Sequence, residues 1–237
     1  MKNIIVKVLS KLGLQKIKRE KRGWEADYLR SLTSANVVLD IGAANGTPKL
    51  YEAFKGKKFI LFEPLQEYKE SLDVWKEKLV TCEIIYTALG NEDGTAEITM
   101  DNERNTRSSL KKRSNLTKSK GETTSKEVSI SKLDTIINHY ISPSDKLIMK
   151  VDVEGFELEV LKGSTETLTK VDLIIVEASV AERFEDQPSY LDILNFLDSQ
   201  GFRLLDILYL AYYKNWEGLM WTDLVFVPKD KKFDFQK

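Results

Sequence analysis

The sequence predicts an α/β fold built on a doubly wound, mostly parallel sheet. Short runs of β-branched and apolar residues recur along the 237 residues, and most are followed by a segment with helical spacing. This alternation favours a parallel sheet, because parallel neighbours need a crossover, usually a helix, to connect them. One run, residues 37–46, also contains an acid followed by two glycines four positions apart. That pattern is typical of a tight turn from a buried strand into a helix.

The predicted elements follow one another in a regular order. A helical segment from Trp24 to about Ser34 precedes the first strand. The strands are expected at 37–41, 58–62, 83–87, 96–100, 128–130, 147–152, 171–176, 202–208 and 223–227. Helices are expected at about 47–55, 65–79, 131–140, 156–162 and 189–200. Pro64 stops the second strand, and Gly163 ends a helix.

The length suits one domain with two additions. Residues 1–34 are expected to form a basic amphipathic helix with a helical lead-in, and residues 35–237 form the main domain. The basic helix either docks on the domain or on a partner subunit, or lies on an anionic membrane surface. A basic, polar insertion at 101–127 is either a solvated mobile loop or a lid that orders over an anionic substrate or the cofactor.

Charge and composition exclude several function classes. The net charge of −1 gives no general argument for nucleic-acid binding, so no nucleic-acid partner is expected. The single cysteine, Cys82, rules out an internal disulfide. The single histidine, His139, argues against a histidine-built metal site and against a Ser-His-Asp triad. A single cysteine fits a reducing compartment, and no stretch approaches the roughly 20 apolar residues of a transmembrane helix. We therefore expect a cytoplasmic protein. Peripheral membrane contact through residues 2–22 is the alternative, and the oligomeric state stays open.

Four acids come at the ends of predicted parallel strands: Asp40, Glu63, Asp152 and Glu177. The carboxyl ends of such strands share one edge of the sheet, where ligands bind in open α/β folds. Glu63 follows Gly42 by 21 positions, close to the usual distance for an acid that binds ribose hydroxyls. That feature is shared by enzymes of NAD and of S-adenosylmethionine (SAM). The spacing Asp-x-Gly-x-x-x-Gly, which differs from Gly-x-Gly-x-x-Gly, favours SAM.

A second cluster of charged residues surrounds the fourth core strand. Alternation along the strand sends Lys150 and Asp152 to one face, and Glu154 continues that phase if the chain is still extended there. Lys150 would offset the repulsion between the carboxylates. The cluster can hold a divalent ion such as Mg²⁺, with Asp152 the best candidate ligand, or present a general base to a hydroxyl. The alternative is a helix N-terminus that carries acids favourable to its dipole.

These motifs together resemble the FkbM family of SAM-dependent methyltransferases. The similarity spans about 37–227, and its motifs lie at 38–46, 62–64, 88–90, 150–155 and 159–163. The Lys-x-Asp-x-Glu-Gly…Leu-Lys-Gly element is the most specific of them. Ser108-Ser109-Leu110 also resembles a serine pair that the family carries between its third and fourth strands. Ala44 departs mildly from the family, which often has an asparagine or a similar residue in the turn.

The resemblance implies a class I methyltransferase fold, which is Rossmann-like with seven strands and an antiparallel last strand. It also implies O-methylation of a hydroxyl on a sugar, a glycolipid or polysaccharide precursor, or a polyketide-like product. By position, Gly42, Asn45 and Gly46 would border the methionine part of SAM, Glu63 the ribose, and Ala88 and Leu89 the adenine. Asp40 is counted with this cofactor-binding set. Asp152 would lie at the methyl-transfer site with Lys150, Glu154 and Glu177 around it.

The expected reaction is an in-line displacement in which a substrate oxygen attacks the methyl carbon of SAM. Asp152 would help as a base or through a bound metal ion, and His139 is a weaker candidate base. Two other interpretations stay open. One is an NAD-dependent nucleotide-sugar enzyme, although Gly-x-Gly-x-x-Gly and a suitably placed Tyr-x-x-x-Lys pair are missing. The other is a non-catalytic SAM- or membrane-binding module that uses the basic helix and the insertion.

Overall fold

The computed structural model of the chain describes residues 23–101, 108–117, 121–213 and 218–233. The basic helix predicted over the first 20 or so residues lies outside the described residues, as do parts of the 101–127 insertion. No helix within the described ranges is long and apolar enough to cross a membrane.

Within the described residues, the main sheet has seven strands in the order β3-β2-β1-β7-β8-β10-β9. These strands are β1 (Val37–Ile41), β2 (Lys58–Phe62), β3 (Thr81–Ile85), β7 (Leu147–Val151), β8 (Val171–Ser179), β9 (Phe202–Tyr212) and β10 (Leu219–Pro228). Every neighbouring pair from β3 to β8 is parallel, while β10 is antiparallel to both β8 and β9. The predicted doubly wound sheet with an antiparallel last strand is therefore confirmed.

Helices cover both faces of this sheet. In the part of the chain that the structure describes, they are α1 (Ala26–Ser31), α2 (Pro48–Ala53), α3 (Lys69–Lys78), α4 (Leu133–Ile136), α5 (Glu157–Lys162), α6 (Thr165–Leu168) and α7 (Tyr190–Ser199), with 3-10 turns at Gln66–Tyr68 and Ile137–His139. Leu29, Leu50 and Leu72 from α1–α3 pack in one apolar cluster, and Val160 and Ile193 from α5 and α7 pack in the other. The central strands are buried on both faces, which explains their continuous apolar runs.

A second, three-stranded sheet stands beside the first, in the order β4-β6-β5. Its strands are β4 (Ala88–Leu89), β5 (Gly94–Asp101) and β6 (Thr123–Ser131). The predicted pairing of 96–100 with 128–130 is confirmed, with Ala96 opposite Val128 in an antiparallel ladder. Both strands continue into the polar insertion, so its two ends are strands within the described residues.

The predicted third strand, 83–87, is wrong in its position by two residues. The strand ends at Ile85, and Ala88 and Leu89 belong to β4 in the other sheet. Thr87 lies at the change of direction: its N–H donates to the Ile85 carbonyl oxygen at 3.0 Å, and its hydroxyl donates to the Ser129 carbonyl oxygen at 3.1 Å. The sequence has no glycine, proline or charged residue between Ile85 and Ala88 that would mark this break.

The point where the sheet order reverses lies between β1 and β7. From β1 the chain builds outward through β2 and β3, then returns to add β7 and β8 on the other side. Loops that leave the carboxyl ends of β1 and β7 therefore diverge, and a crevice opens between them.

Candidate active site

The turn after β1 is held close to the neighbouring strand ends. The backbone N–H groups of Gly42 and Ala43 both donate to the Phe62 carbonyl oxygen, at 3.0 and 3.1 Å. Gly42 has a φ of 77°, and a Cβ built there would lie 1.9 Å from the carbonyl oxygen of Asp152. Ala44 has a φ of 44°, a left-handed conformation that asparagine adopts more readily than alanine. The turn therefore requires glycine at position 42 for both conformation and space.

An open cavity of about 280 Å³ lies above the carboxyl ends of β1, β2, β7 and β8. Of the eleven candidate site residues, ten line it and Asp40 does not. The ten are Gly42, Asn45, Gly46, Glu63, Ala88, Leu89, Lys150, Asp152, Glu154 and Glu177. Glu63, Asp152 and Glu177, which were predicted to share one edge of the sheet, therefore lie around one concave surface.

Asp40 lies beneath the cavity and is fully buried. Its carboxylate accepts a hydrogen bond from the Tyr51 hydroxyl at 2.6 Å and forms an ion pair with Lys150 at 3.1 Å. Lys150 stands opposite Asp40 in the β1–β7 ladder, and its ammonium also donates to the Gly42 carbonyl oxygen at 3.1 Å. Burial alone would lower the pKa of Lys150, but Asp40 and Asp152 raise it above its ordinary value. Asp40 therefore supports the lysine from below.

Glu63 faces the cavity from the end of β2. One carboxylate oxygen accepts the Ala44 N–H at 2.8 Å and the other accepts the Leu65 N–H at 2.9 Å. Each carboxylate oxygen has a second lone pair, so both can still accept from a ligand hydroxyl. Burial raises the pKa of Glu63 to about 7. Tyr68 lines the cavity next to it, and burial together with Glu63 raises the pKa of Tyr68 to about 12.

Asp152 is the acid in this group that is most open to the cavity. Its side chain is 38% exposed, against 19% for Glu154 and 11% for Glu177. Its carboxylate lies 3.6 Å from the Lys150 ammonium, and its backbone N–H donates to the Ile41 carbonyl oxygen at 3.0 Å. The end of β1 and the charge of Lys150 thus fix Asp152 at the edge of the cavity.

Glu154 and Glu177 are engaged with an arginine that sequence reasoning missed. Glu154 has a φ of 53°, so the extended phase of β7 does not reach it. Its carboxylate lies 2.6 Å from Arg183 and 3.5 Å from Arg113. Glu177 lies 2.5 Å from the other terminal nitrogen of Arg183. Burial, followed by the charge of Asp152, raises the pKa of Glu177 well above its ordinary value.

Three carboxylates, those of Asp152, Glu157 and Glu177, each place one oxygen within 4.8 Å of the others. Two of them are already committed: Glu177 pairs with Arg183, and Glu157 accepts the N–H groups of Val153 and Gly155. Mg²⁺ requires near-ideal octahedral oxygen ligation. This donor set therefore fits the ion poorly.

Part of the predicted basic insertion forms one wall of the cavity. Ser108, Ser109 and Leu110 line it. Ser109 exchanges two backbone hydrogen bonds with Thr99 of β5, at 2.9 and 3.0 Å, and its hydroxyl donates to the Glu154 carbonyl oxygen at 2.5 Å. The serine pair noted in the sequence was the available signal for this wall. Arg183 offered none, because it stands alone in a loop after β8.

His139 lies away from the cavity. It is exposed in the 3-10 turn that precedes β7. The carbonyl oxygen of the next residue, Tyr140, accepts a hydrogen bond from Lys58 at the start of β2, at 2.6 Å. That position is at the amino ends of the parallel strands, opposite the edge that carries the acids.

Several solved structures resemble the chain. The methyltransferase FkbM of Methylobacillus flagellatus KT matches with a TM-score of 0.48 and 15% identity, over 81% of this chain and 43% of that chain. The chain thus spans less than half of that protein's length. A SAM-bound magnesium protoporphyrin IX methyltransferase from Synechocystis PCC 6803 matches with a TM-score of 0.45 and 12% identity, over 86% of this chain and 77% of that chain.

A putative tRNA (m1A22) methyltransferase of Streptococcus pneumoniae, solved in complex with SAM, matches with a TM-score of 0.45 and 13% identity, over 89% of this chain and 74% of that chain. No curated protein matches the sequence. Residues 40–204, more than half of the chain, match the family described as the methyltransferase FkbM domain. This range contains all the candidate site residues, and the chain therefore belongs to the FkbM family of SAM-dependent methyltransferases.

Proposed function

We propose that the protein transfers a methyl group from SAM to a hydroxyl of a sugar, a glycolipid or polysaccharide precursor, or a polyketide-like product. The proposal rests on the exposure of the acids around the cavity and on the ion pairs that they form. Asp40, Glu154 and Glu177 are engaged in ion pairs with low exposure, whereas Asp152 is 38% exposed at the cavity edge. Among the four acids at this end of β1, β7 and β8, Asp152 is thus the one open to a substrate, while the other three support it.

The cavity suits the three parts of SAM. Glu63 offers a free lone pair on each carboxylate oxygen, which fits a pair of ribose hydroxyls. Gly42, Asn45 and Gly46 line the cavity in the turn after β1, where they would border the methionine part. Ala88 and Leu89, with Ile98 beside them, give an apolar surface for the adenine ring.

Asp152 would accept the proton of the acceptor hydroxyl. Bound SAM supplies an electrophilic methyl carbon, and a neutral hydroxyl is a weak nucleophile toward it. A carboxylate within hydrogen-bond reach makes the oxygen more nucleophilic as the proton leaves. Lys150 balances the negative charges of Asp40 and Asp152, so the two carboxylates can lie close to each other. The remaining task of the site is to align the acceptor oxygen with the methyl group.

Calorimetric titration and a transfer assay test this function. We expect SAM to bind with one site per chain, and NAD to give no heat of binding under the same conditions. Labelled SAM should then transfer its methyl group to an oxygen in a pool of sugars, glycolipids or polyketide alcohols. Binding of NAD without binding of SAM would refute the proposal, and transfer to nitrogen or carbon acceptors alone would refute its O-methylation part.

A further inference from the structure

We propose that Glu154 is a positioning residue that, with Arg113 and Arg183, locks the 108–117 segment in place as a wall of the cofactor cavity. Glu154 lies at a sharp turn after β7, where its φ of 53° directs the chain out of the strand. Its carboxylate lies 2.6 Å from Arg183, on the loop after β8, and 3.5 Å from Arg113, within the segment. It therefore joins three parts of the chain that are distant in sequence.

The backbone of Glu154 contributes to the same contact. Its carbonyl oxygen accepts the hydroxyl hydrogen of Ser109 at 2.5 Å. Ser109 is 3% exposed and lines the cavity together with Ser108 and Leu110. One residue thus contacts the segment at two points, through its carbonyl oxygen at Ser109 and through its side chain at Arg113. The position of the cavity wall depends on both.

Phe184 fits between the two arginines and the turn. The guanidinium of Arg113 lies 4.9 Å from the centre of its ring, and that of Arg183 lies 5.2 Å away. Phe184 is fully buried, and a Cβ built on Gly155 would come within 2.7 Å of its ring. Gly155 therefore leaves the space that Phe184 occupies. This gives a physical reason for the Glu-Gly pair that ends the Lys-x-Asp-x-Glu-Gly element.

Hydrogen bonds between the segment and the loop complete the lock. The Ser114 N–H donates to the Arg183 carbonyl oxygen at 3.0 Å, and the Ser114 hydroxyl donates to the Glu182 carbonyl oxygen at 2.5 Å. In the other direction, the Glu185 N–H donates to the Lys112 carbonyl oxygen at 2.8 Å. The segment is thus paired with the loop along its length, and Glu154 connects both to the catalytic edge of the sheet.

The lock predicts a specific kinetic pattern. It rests on the proposed function only in that the cavity holds SAM. If Glu154 positions the wall, Glu154→Gln should weaken SAM binding by a larger factor than it lowers the turnover of saturated enzyme. If Glu154 acted in the chemical step, turnover would fall and SAM affinity would stay unchanged. We expect SAM affinity to fall at least about tenfold, the factor for losing an interaction between charged groups.

Trypsin gives a readout that does not depend on SAM. Lys111, Lys112 and Arg113 lie inside the locked segment, so cleavage after them reports its release. Mass spectrometry should show cleavage there at least about tenfold faster in Glu154→Gln than in the wild type. Glu182→Gln is the matched control, because this exposed acid lies in the same loop and contributes its backbone, not its side chain, to the lock. We expect it to behave as the wild type.

The outcomes separate the lock from the proposed function. If Glu154→Gln does not fold, Arg113→Gln takes its place, because Arg113 is partly exposed and makes the weaker ion pair. Unchanged trypsin cleavage and unchanged SAM affinity in the variant tested would overturn the lock, as would a loss of turnover at unchanged affinity. Absence of SAM binding by the wild type would overturn the proposed function, and cleavage within 108–117 would still decide on the lock.

Discussion

At the scale of single residues, the site depends on a few positions that accept only one residue type. Gly42 is the clearest of them, because its φ of 77° and the Asp152 carbonyl oxygen both exclude a side chain. Lys150 is another, since it contacts Asp40, Asp152 and the Gly42 carbonyl oxygen at the same time. Through these contacts the glycine turn packs against the end of β7, so the cavity and the proposed base depend on the same residues.

Gly42→Ala should remove SAM binding and lower the free energy of unfolding by more than a glycine substitution elsewhere. Gly56→Ala is the matched control: its φ is 89°, but nothing lies within 4 Å of a Cβ built there. In the control, the free energy of unfolding should fall by only about 1–2 kcal/mol, which is the cost of placing alanine in a left-handed conformation. Urea denaturation and SAM calorimetry measure both effects. If both variants lost the same free energy of unfolding and Gly42→Ala still bound SAM, the role given to Gly42 would be contradicted.

At the scale of elements, the sequence predicts the central strands, because burial on both faces leaves an apolar pattern in them. The β1 and β7 runs are apolar at every position except Asp40 and Lys150, because both faces of these strands are covered by helices. The strand-end acids were predictable for the same reason: the ends of parallel strands share one edge. Ten of the eleven candidate residues therefore line one cavity.

Elements that depend on contacts between distant segments could not be predicted. Tyr86 and Thr87 separate the end of β3 from the start of β4, and neither residue type marks a break in a strand. The place where the chain changes sheets shows only in contacts such as that between Thr87 and Ser129. The 108–117 segment is polar, so its sequence resembles that of a solvated loop. Its order comes from Arg183 and Phe184, more than 60 positions away. The local pattern of apolar and polar residues carries no information about a contact between such distant positions.

At the scale of the whole molecule, buried acids make stability depend on pH. Burial raises the pKa of Glu63 and Glu157 to about 7 and that of Asp223 to about 6. Their unfolded values are about 4. Between these limits the folded protein binds more protons than the unfolded chain, so stability is greatest at the acidic end and falls as pH rises from about 4.5 to about 7. Each glutamate contributes roughly 3 kcal/mol to this change.

Glu157→Gln tests the pH dependence. The glutamine oxygen can still accept the N–H groups of Val153 and Gly155, so the local turn is kept while the titrating group is removed. Urea denaturation at pH 5 and at pH 8 should show a smaller loss of unfolding free energy in the variant than in the wild type. The same loss in both proteins would show that Glu157 does not titrate in this window.

The most direct test of the central claim is the turnover of Asp152→Asn at saturating SAM. The variant keeps the shape of the side chain and the backbone contact with β1, so its SAM dissociation constant should match that of the wild type. Loss of the base should lower turnover at least about 100-fold. Wild-type turnover in Asp152→Asn would contradict the account, because the exposed carboxylate at the end of β7 would then have no part in methyl transfer.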